Sequence, residues 1–256
     1  MKKTISFIFM VFGSLLLFAQ TDYKTSTKNK DGFTIIYTIT YTKPTTIYGS
    51  GSSEYKYGLL EEKTQKIVLP IIYKSVYTSY EDGLYIVQDE SEKYGLYNAK
   101  TQAYLVVPSY NKIEAFTDGV SIVQKKAFVN GWNEYTYGAI DKIGKLIVPD
   151  TFTYLGNCRD GLMSFKQNGK YGYLDKQAKI VIPAMYERAE NFANGLAPVQ
   201  LDENSKYGYI NKENKFVITV NTIQNKAVNA TSFDMKYQLI VTNKSETKTY
   251  NLTQKV

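Results

Sequence analysis

Residues 170–199 read KYGYLDKQAKIVIPAMYERAENFANGLAPV, and the order of three markers in this stretch decides the fold. A Tyr-Gly pair comes first, an apolar run ending in proline follows, and an Asn-Gly pair opens the last part. The run Ile180–Pro183 is rich in β-branched residues, which favour strands, and Asn-Gly is typical of a turn. The stretch therefore predicts short antiparallel strands joined by turns.

The same markers recur along the chain in the same order. Five Tyr-Gly pairs occur at intervals of 34 to 43 residues: Tyr57-Gly58, Tyr94-Gly95, Tyr137-Gly138, Tyr171-Gly172 and Tyr207-Gly208. A sixth pair, Tyr48-Gly49, lies off this period. The first four periodic pairs are each followed by a proline (Pro70, Pro108, Pro149, Pro183) and by an Asp-Gly or Asn-Gly pair (starting at Asp82, Asp118, Asp160, Asn194). A fixed period of this length is the signature of a repeat architecture. We predict an all-β fold, a tandem array of three-stranded antiparallel β-meander repeats that forms either an open β-solenoid or a propeller-like arrangement.

One such meander cannot bury its apolar face alone, so neighbouring repeats are expected to stack on each other. The proline has no N–H to donate to a ladder and is predicted to close its strand. The glycine of each Tyr-Gly pair is expected where another backbone or ring packs close, and the five tyrosines are expected to be core aromatics.

The pattern carried by Lys170–Lys176, Ile180–Pro183, Tyr186, Phe192 and Asn194–Val199 resembles the WG (also called KWG) repeat of bacterial proteins. The resemblance runs roughly from Tyr55 to Ile218. The aromatic of that family is usually tryptophan, and here it is tyrosine every time, which keeps a ring and adds a hydroxyl. The resemblance implies a repeat scaffold; it implies no enzymatic activity and no set of functional residues.

The N-terminus has the parts of a secretory signal peptide. Lys2 and Lys3 precede an apolar run, Ile5–Phe18, which ends beside the small residue Ala19. The alternative is a membrane anchor, but a spanning helix needs about 20 apolar residues and polar residues follow this run at once. We expect cleavage after Ala19, a periplasmic or extracellular protein, and no membrane span after cleavage.

These patterns divide the chain into four parts. Residues 1–19 are the expected signal peptide, and residues 20–54 are a β-rich lead-in that ends in a Gly/Ser/Thr-rich loop. Residues 55–219 are the repeat array. Residues 220–256 are expected to close the chain with a hairpin cap, in which Tyr237–Thr242 pairs with Thr247–Leu252.

Composition excludes several chemistries. The chain has no histidine and one cysteine, so it has no Ser-His or Cys-His triad and no internal disulfide. The net charge of +7 is spread singly along the chain, which argues against nucleic acid. The adjacent carboxylate pairs fall at turns or strand ends and are interpreted as solvated charge: Glu61-Glu62, Asp89-Glu90 and Asp202-Glu203. We expect no enzyme, no catalytic residue, no cofactor and no metal.

Cys158 lies three residues before Gly161, and the matching positions in the other repeats are Tyr80, Phe116 and Phe192. Cys158 therefore fills a column of aromatic residues with a smaller side chain. We predict a buried, unreactive thiol in a core column.

The return from Gly119 to Tyr137 is longer than the equivalent returns, and its extra residues centre on Asn130-Gly131. This predicts a long hairpin in which Lys125–Val129 pairs with Trp132–Thr136. Its tip carries the only tryptophan, Trp132, with Phe128 and Tyr135 near it in sequence, so it is a candidate contact site. The alternative is that Trp132 folds onto the adjacent repeat.

The predicted function is protein–protein interaction by an exported, non-catalytic scaffold of the bacterial cell envelope, with an envelope or secreted protein as partner. The alternative is a carbohydrate or cell-wall binding module with a glycan as ligand, which the 24 tyrosines favour.

Overall fold

The computed structural model describes residues 3–5, 21–42, 51–204, 207–219, 238–242 and 247–251, and within these ranges the chain forms strands and turns without a helix. In this part of the chain there is accordingly no apolar helix of membrane-spanning length. The chain divides into two compact units, residues 1–115 and 116–256.

The described residues of the first unit form ten strands, which are β1 (Lys3–Ile5), β2 (Thr21–Lys28), β3 (Phe33–Thr42), β4 (Ser52–Glu61), β5 (Lys66–Tyr73), β6 (Ser75–Thr78), β7 (Leu84–Gln88), β8 (Tyr94–Asn98), β9 (Ala103–Tyr110) and β10 (Lys112–Ile113). Strands β1 to β5 form one antiparallel sheet in chain order, and β6 to β9 form a second. β1 lies inside the predicted signal peptide, so cleavage after Ala19 would leave β2 as the edge strand.

In the second unit, the part of the chain that the structure describes forms twelve strands, which are β11 (Val120–Val129), β12 (Trp132–Asp141), β13 (Leu146–Phe152), β14 (Leu162–Gln167), β15 (Lys170–Asp175), β16 (Ile180–Tyr186), β17 (Arg188–Ala189), β18 (Ala197–Gln200), β19 (Gly208–Ile210), β20 (Phe216–Thr219), β21 (Gln238–Thr242) and β22 (Thr247–Asn251). β11 to β13 pair consecutively, as do β14 to β16 and β17 to β20. β21 pairs with β22 as the predicted C-terminal hairpin, whose outermost residues Tyr237 and Leu252 lie outside the described residues.

The tandem array of three-stranded antiparallel meanders predicted from the sequence is confirmed, and some sheets extend the meander by further strands at one edge. In the first four repeats the Tyr-Gly strand lies between the strand that follows the Asp/Asn-Gly turn and the strand that carries the proline. In the last repeat β20, which has no proline, takes the place of the proline strand. Some sheets add a short fourth strand at the other edge, for example β6 and the two-residue β17. A strand this short is not predictable from the alternation of apolar and polar residues, because it contains too few residues to show that alternation.

The prediction that each proline closes its strand was wrong. Pro183 lies inside β16, which continues to Tyr186, and the other three prolines lie likewise inside β5, β9 and β13. The register explains the tolerance: Tyr171 pairs with Tyr186, whereas Tyr173 pairs with Ile182, so the proline strand bulges between these pairs. A bulged edge strand requires no ladder N–H from proline.

The backbone of each bulge lies very close to the glycine of the Tyr-Gly pair. An added Cβ at Gly172 would lie 2.5 Å from the Ile182 carbonyl oxygen, and one at Gly58 would lie 2.5 Å from the Leu69 carbonyl oxygen. The predicted close approach is therefore correct, and it comes from the neighbouring strand of the same sheet.

Within each unit the core lies between consecutive sheets. In the first unit one apolar cluster joins Leu59 and Tyr73 of β4 and β5 to Tyr85 and Tyr97 of β7 and β8. In the second unit the cluster around Tyr173 and Tyr186 includes Phe192 and Val199 from the next sheet. The predicted mutual burial of neighbouring repeats is thus present in both units.

A hydrogen bond from one repeat to the next follows the same period. The carboxylate of Asp160 accepts the backbone N–H of Gly195 at 2.7 Å, and Asp118 accepts that of Gly161 at 3.1 Å. The carboxylate of Asp31 likewise accepts the backbone N–H of Gly83 at 3.2 Å. Asp31-Gly32 lies just before β3, in the same position that the later Asp-Gly pairs have before β11 and β14. β3 pairs with β4 along its whole length, so residues 33–42 belong to the first sheet of the array.

Cys158 is fully buried, as predicted, and so are Phe116 and Phe192 at the matching positions. Burial raises the pKa of the Cys158 thiol to about 11. Tyr80 departs from the predicted column: its backbone has φ of 66° and its side chain is 83% exposed. Ser79 is buried next to it, so the chain shifts by one residue in this repeat.

Candidate functional surfaces

The candidate sites are binding surfaces. Among the residues with described side chains, no three His, Cys, Asp or Glu residues lie together as metal ligands would. Two places in the fold do project aromatic side chains beyond their sheets, one in each unit, and both are hairpins of ten-residue strands.

The hairpin of β11 and β12 has the predicted pairing, with Lys125 opposite Thr136 and Val129 opposite Trp132. Its turn is Asn130-Gly131, with φ of 50° and 84°, which is the two-residue turn that such a pair favours. β13 pairs with β12 only as far as Tyr137. Residues 125–136 therefore project as a two-stranded ribbon, called here the Trp132 hairpin.

The aromatic side chains of the Trp132 hairpin lie on both of its faces. Directly paired residues share a face, so Trp132 lies with Val129 on one side. Phe128 and Tyr135 lie diagonally from each other on the opposite side. Trp132 is 78% exposed and Phe128 is 74% exposed, so neither side chain is folded onto an adjacent repeat.

The hairpin of β3 and β4 carries a second aromatic surface, which sequence reasoning did not single out. Tyr37 pairs with Tyr57, and the same face carries Tyr55 and Tyr41. The ring centroids of Tyr37, Tyr55 and Tyr57 are 5.8 to 6.4 Å apart. We call these four residues the tyrosine row; Tyr55 and Tyr41 are its exposed members.

A sequence signal for the tyrosine row exists. Residues 33–42 alternate large apolar or aromatic side chains with smaller ones over a strand longer than the core requires. Residues 54–58 read EYKYG and residues 134–138 read EYTYG, so the two long hairpins share a motif that the other three periodic Tyr-Gly pairs lack. The two hairpins are thus equivalent elements of their repeats.

The first unit also has an open groove of about 450 Å³, called here the Tyr77 groove. Its apolar walls include the rings of Tyr77 and Tyr94 and the side chain of Ile86. Its charged lining residues, Lys112 and Glu114, form an ion pair at 2.8 Å. Burial raises the pKa of Tyr94. Its phenol can both donate and accept hydrogen bonds.

The five repeat tyrosines are half-buried or exposed rather than fully buried core residues. Tyr57, Tyr137 and Tyr171 each pack against the edge of an apolar cluster, whereas Tyr207 is 39% exposed. The first four pair across the bulge with the aromatic that follows the proline, as Tyr94 does with Tyr110. The residues two positions further on are the buried ones, such as Leu59 and Tyr173.

These observations define a tandem-repeat all-β protein. A family model described as "WG containing repeat" matches residues 57–94, 137–171 and 171–204, and each match begins at the tyrosine of a Tyr-Gly pair. The chain belongs to the WG repeat-containing proteins. No curated protein matches the chain.

Solved structures give only remote matches. A computationally designed protein, Ika8, matches with 8% identity over 82% of this chain and 67% of its own, with a TM-score of 0.36. The extracellular domain of the putative hybrid two component system BT3049 from B. thetaiotaomicron matches with 15% identity over 77% of this chain and 30% of its own, with a TM-score of 0.32. An oligogalacturonate lyase in complex with manganese matches with 12% identity over 80% of this chain and 73% of its own, with a TM-score of 0.34. Overlaps this loose support no argument about function.

Proposed function

We propose that this WG repeat protein is an exported, non-catalytic binding protein of the bacterial cell envelope that inserts the Trp132 hairpin into a cleft of a partner protein. The observation that carries the proposal is the exposure of Trp132 on one face of a projecting ribbon and of Phe128 on the other. Large aromatic side chains contribute most of the binding energy where a partner encloses them. A sugar ring covers one face of such a ribbon, whereas a protein cleft covers both.

Export is supported by the N-terminal residues, where Lys2 and Lys3 precede the apolar run that ends beside Ala19. A C-terminally tagged full-length chain, produced in a bacterial host and fractionated, tests this step. Its N-terminal sequence is expected to begin at Gln20 in the periplasmic or secreted fraction. A cytoplasmic chain that retains Met1 would contradict export.

The binding step is tested by capture from an envelope extract of cells that produce the protein, using the mature chain and the variants Trp132→Ala and Phe128→Ala. Since both side chains are exposed, each variant is expected to unfold within about 0.5 kcal/mol of the parent. Each variant is also expected to fail to capture the partner protein, because each removes the aromatic side chain that contacts one wall of the partner's cleft. Tyr80→Ala, which removes an equally exposed ring elsewhere, is the matched control and is expected to capture normally.

Two outcomes count against the protein partner. If both hairpin variants capture the same protein as the parent chain, the Trp132 hairpin is not part of the interface. Retention of the parent chain on insoluble peptidoglycan, lost in Trp132→Ala, would show that this hairpin binds the wall polymer instead.

A further inference from the structure

The first unit contains a second surface that the Trp132 hairpin does not explain. The Tyr77 groove is open, its lining joins aromatic rings to hydroxyl groups, and its volume of about 450 Å³ is in the range of small-ligand sites. Tyr77 is 51% exposed on β6, directly opposite Ile86 of β7. The groove therefore offers an accessible ring above an apolar floor.

The charges of the groove restrict its ligand. Lys112 and Glu114 neutralise each other, so a charged ligand meets one attractive and one repulsive group. A purely apolar ligand would remove water from this ion pair and from the phenols of Tyr77 and Tyr94 without replacing their hydrogen bonds, which is costly. A neutral ligand with hydroxyl groups and apolar C–H faces satisfies both requirements.

The geometry points to a binding site for a neutral oligosaccharide, with a sugar ring stacked on Tyr77 and its hydroxyl groups bonded to Glu114 and Lys112. A proline-rich peptide also docks on aromatic-lined grooves. Such a peptide offers mainly carbonyl acceptors, however, and Glu114 is itself an acceptor. Sugar hydroxyls both donate and accept, so they are the better match for a carboxylate paired with an ammonium.

The test measures binding of the mature chain to purified peptidoglycan, chitin, cellulose, xylan and laminarin, by depletion from solution or by affinity electrophoresis. We expect binding to at least one polymer. Tyr77→Ala is expected to weaken it about tenfold, a change of about 1.4 kcal/mol. Tyr77→Phe, which keeps the ring, is expected to retain most of the affinity.

Tyr80→Ala is the matched control, because Tyr80 is an exposed tyrosine of the same unit that is absent from the groove lining. It is expected to leave binding unchanged, as is Trp132→Ala, which separates this site from the proposed protein contact. The inference is overturned if none of the five polymers binds the folded chain, or if Tyr80→Ala and Tyr77→Ala weaken binding equally. It is also overturned if a decaproline peptide binds and the polymers do not.

Discussion

Gly172 shows how a single residue sets the geometry of a repeat. Its position faces the bulged strand so closely that a methyl group would contact both the Ile182 carbonyl oxygen at 2.5 Å and the Ala184 nitrogen at 2.7 Å. These are backbone atoms, so relief requires movement of the strand. The glycine and the proline bulge are therefore two halves of one feature, which explains why they recur together.

Gly172→Ala is expected to lower the free energy of unfolding by about 1–3 kcal/mol, the usual cost of overpacking a tight site. Gly169 is the comparison, because an added Cβ there meets nothing within 4 Å although φ is 80°. Gly169→Ala is expected to cost less, about 1 kcal/mol of backbone strain. Urea unfolding followed by circular dichroism measures both, and a larger loss at Gly169 would refute the packing argument.

The Cys158 thiol is expected to resist labelling in the folded chain. With a pKa of about 11, roughly one thiol in a thousand is ionised at pH 8. An unfolded thiol titrates near 8.5, so the contribution of the thiol to stability is full below that pH and is lost as pH rises toward 11. Reaction with a disulfide reagent at pH 8 should be slow, and fast in denaturant; rapid complete labelling of the native protein would disprove it.

Single residues also show where sequence reasoning stopped. The cysteine column was predictable because it repeats, and Phe116, Cys158 and Phe192 are all buried. Tyr80 occupies the same position in the sequence but is exposed, since its repeat adopts positive φ at Tyr80 and buries Ser79 instead. Counting along the chain cannot detect a one-residue shift of this kind.

At the level of strands and turns, the link from each Asp to the next repeat is the feature most open to test. Asp160 has φ of 51° and its carboxylate accepts the Gly195 N–H. Asp160→Gly keeps the backbone conformation and removes the bond, so it is expected to cost about 1.5–3 kcal/mol, the usual value for a charged hydrogen bond. Asp160→Asn keeps an acceptor oxygen and should cost less. Equal stability of the glycine variant and the parent, measured by urea unfolding, would show that the bond is not stabilising.

The Trp132 hairpin can be removed without disturbing its register. Deletion of residues 126–129 and 132–135 joins Lys125 to Asn130 and Gly131 to Thr136, which leaves the same two-residue turn. A natural precedent is the Asn168-Gly169 turn of β14 and β15. The shortened protein is expected to unfold at nearly the parental temperature, because the apolar cluster of this sheet is formed by residues nearer its base, such as Ile122 and Ala139.

The shortened chain is also expected to lose its protein partner and to retain polysaccharide binding. Thermal unfolding and the two binding assays check all three results. A large drop in unfolding temperature would mean that the hairpin is structural. Unchanged capture of the partner would place the contact elsewhere.

At this scale the sequence predicted the strands and most turns, since alternation and Asn-Gly or Asp-Gly pairs are local signals. It did not predict the edge strands of two to four residues, β17 and β6, which are shorter than any period. It also treated residues 33–42 as a lead-in, because their pairing with β4 is a long-range contact. The tyrosine row was missed for the same reason: its rings are brought together by that register.

At the scale of the whole chain, consecutive sheets within a unit bury each other's apolar side chains. Phe192 lies between β17 and β18, yet its ring contacts that of Tyr173 in the preceding sheet, with centroids 4.7 Å apart. Tyr173 in turn donates a hydrogen bond from its hydroxyl to the Glu190 carbonyl at 2.6 Å. Both sheets therefore share one core, as the spacing of the repeats had indicated.

The most direct test of this shared core is native-state hydrogen exchange on Phe192→Ala. Loss of a fully buried phenylalanine is expected to cost about 3–5 kcal/mol. If neighbouring sheets are stable only together, amide protection falls by a similar factor in β14–β16 and in β18–β20. Protection that falls in β18–β20 alone, with β14–β16 unchanged, would contradict the account.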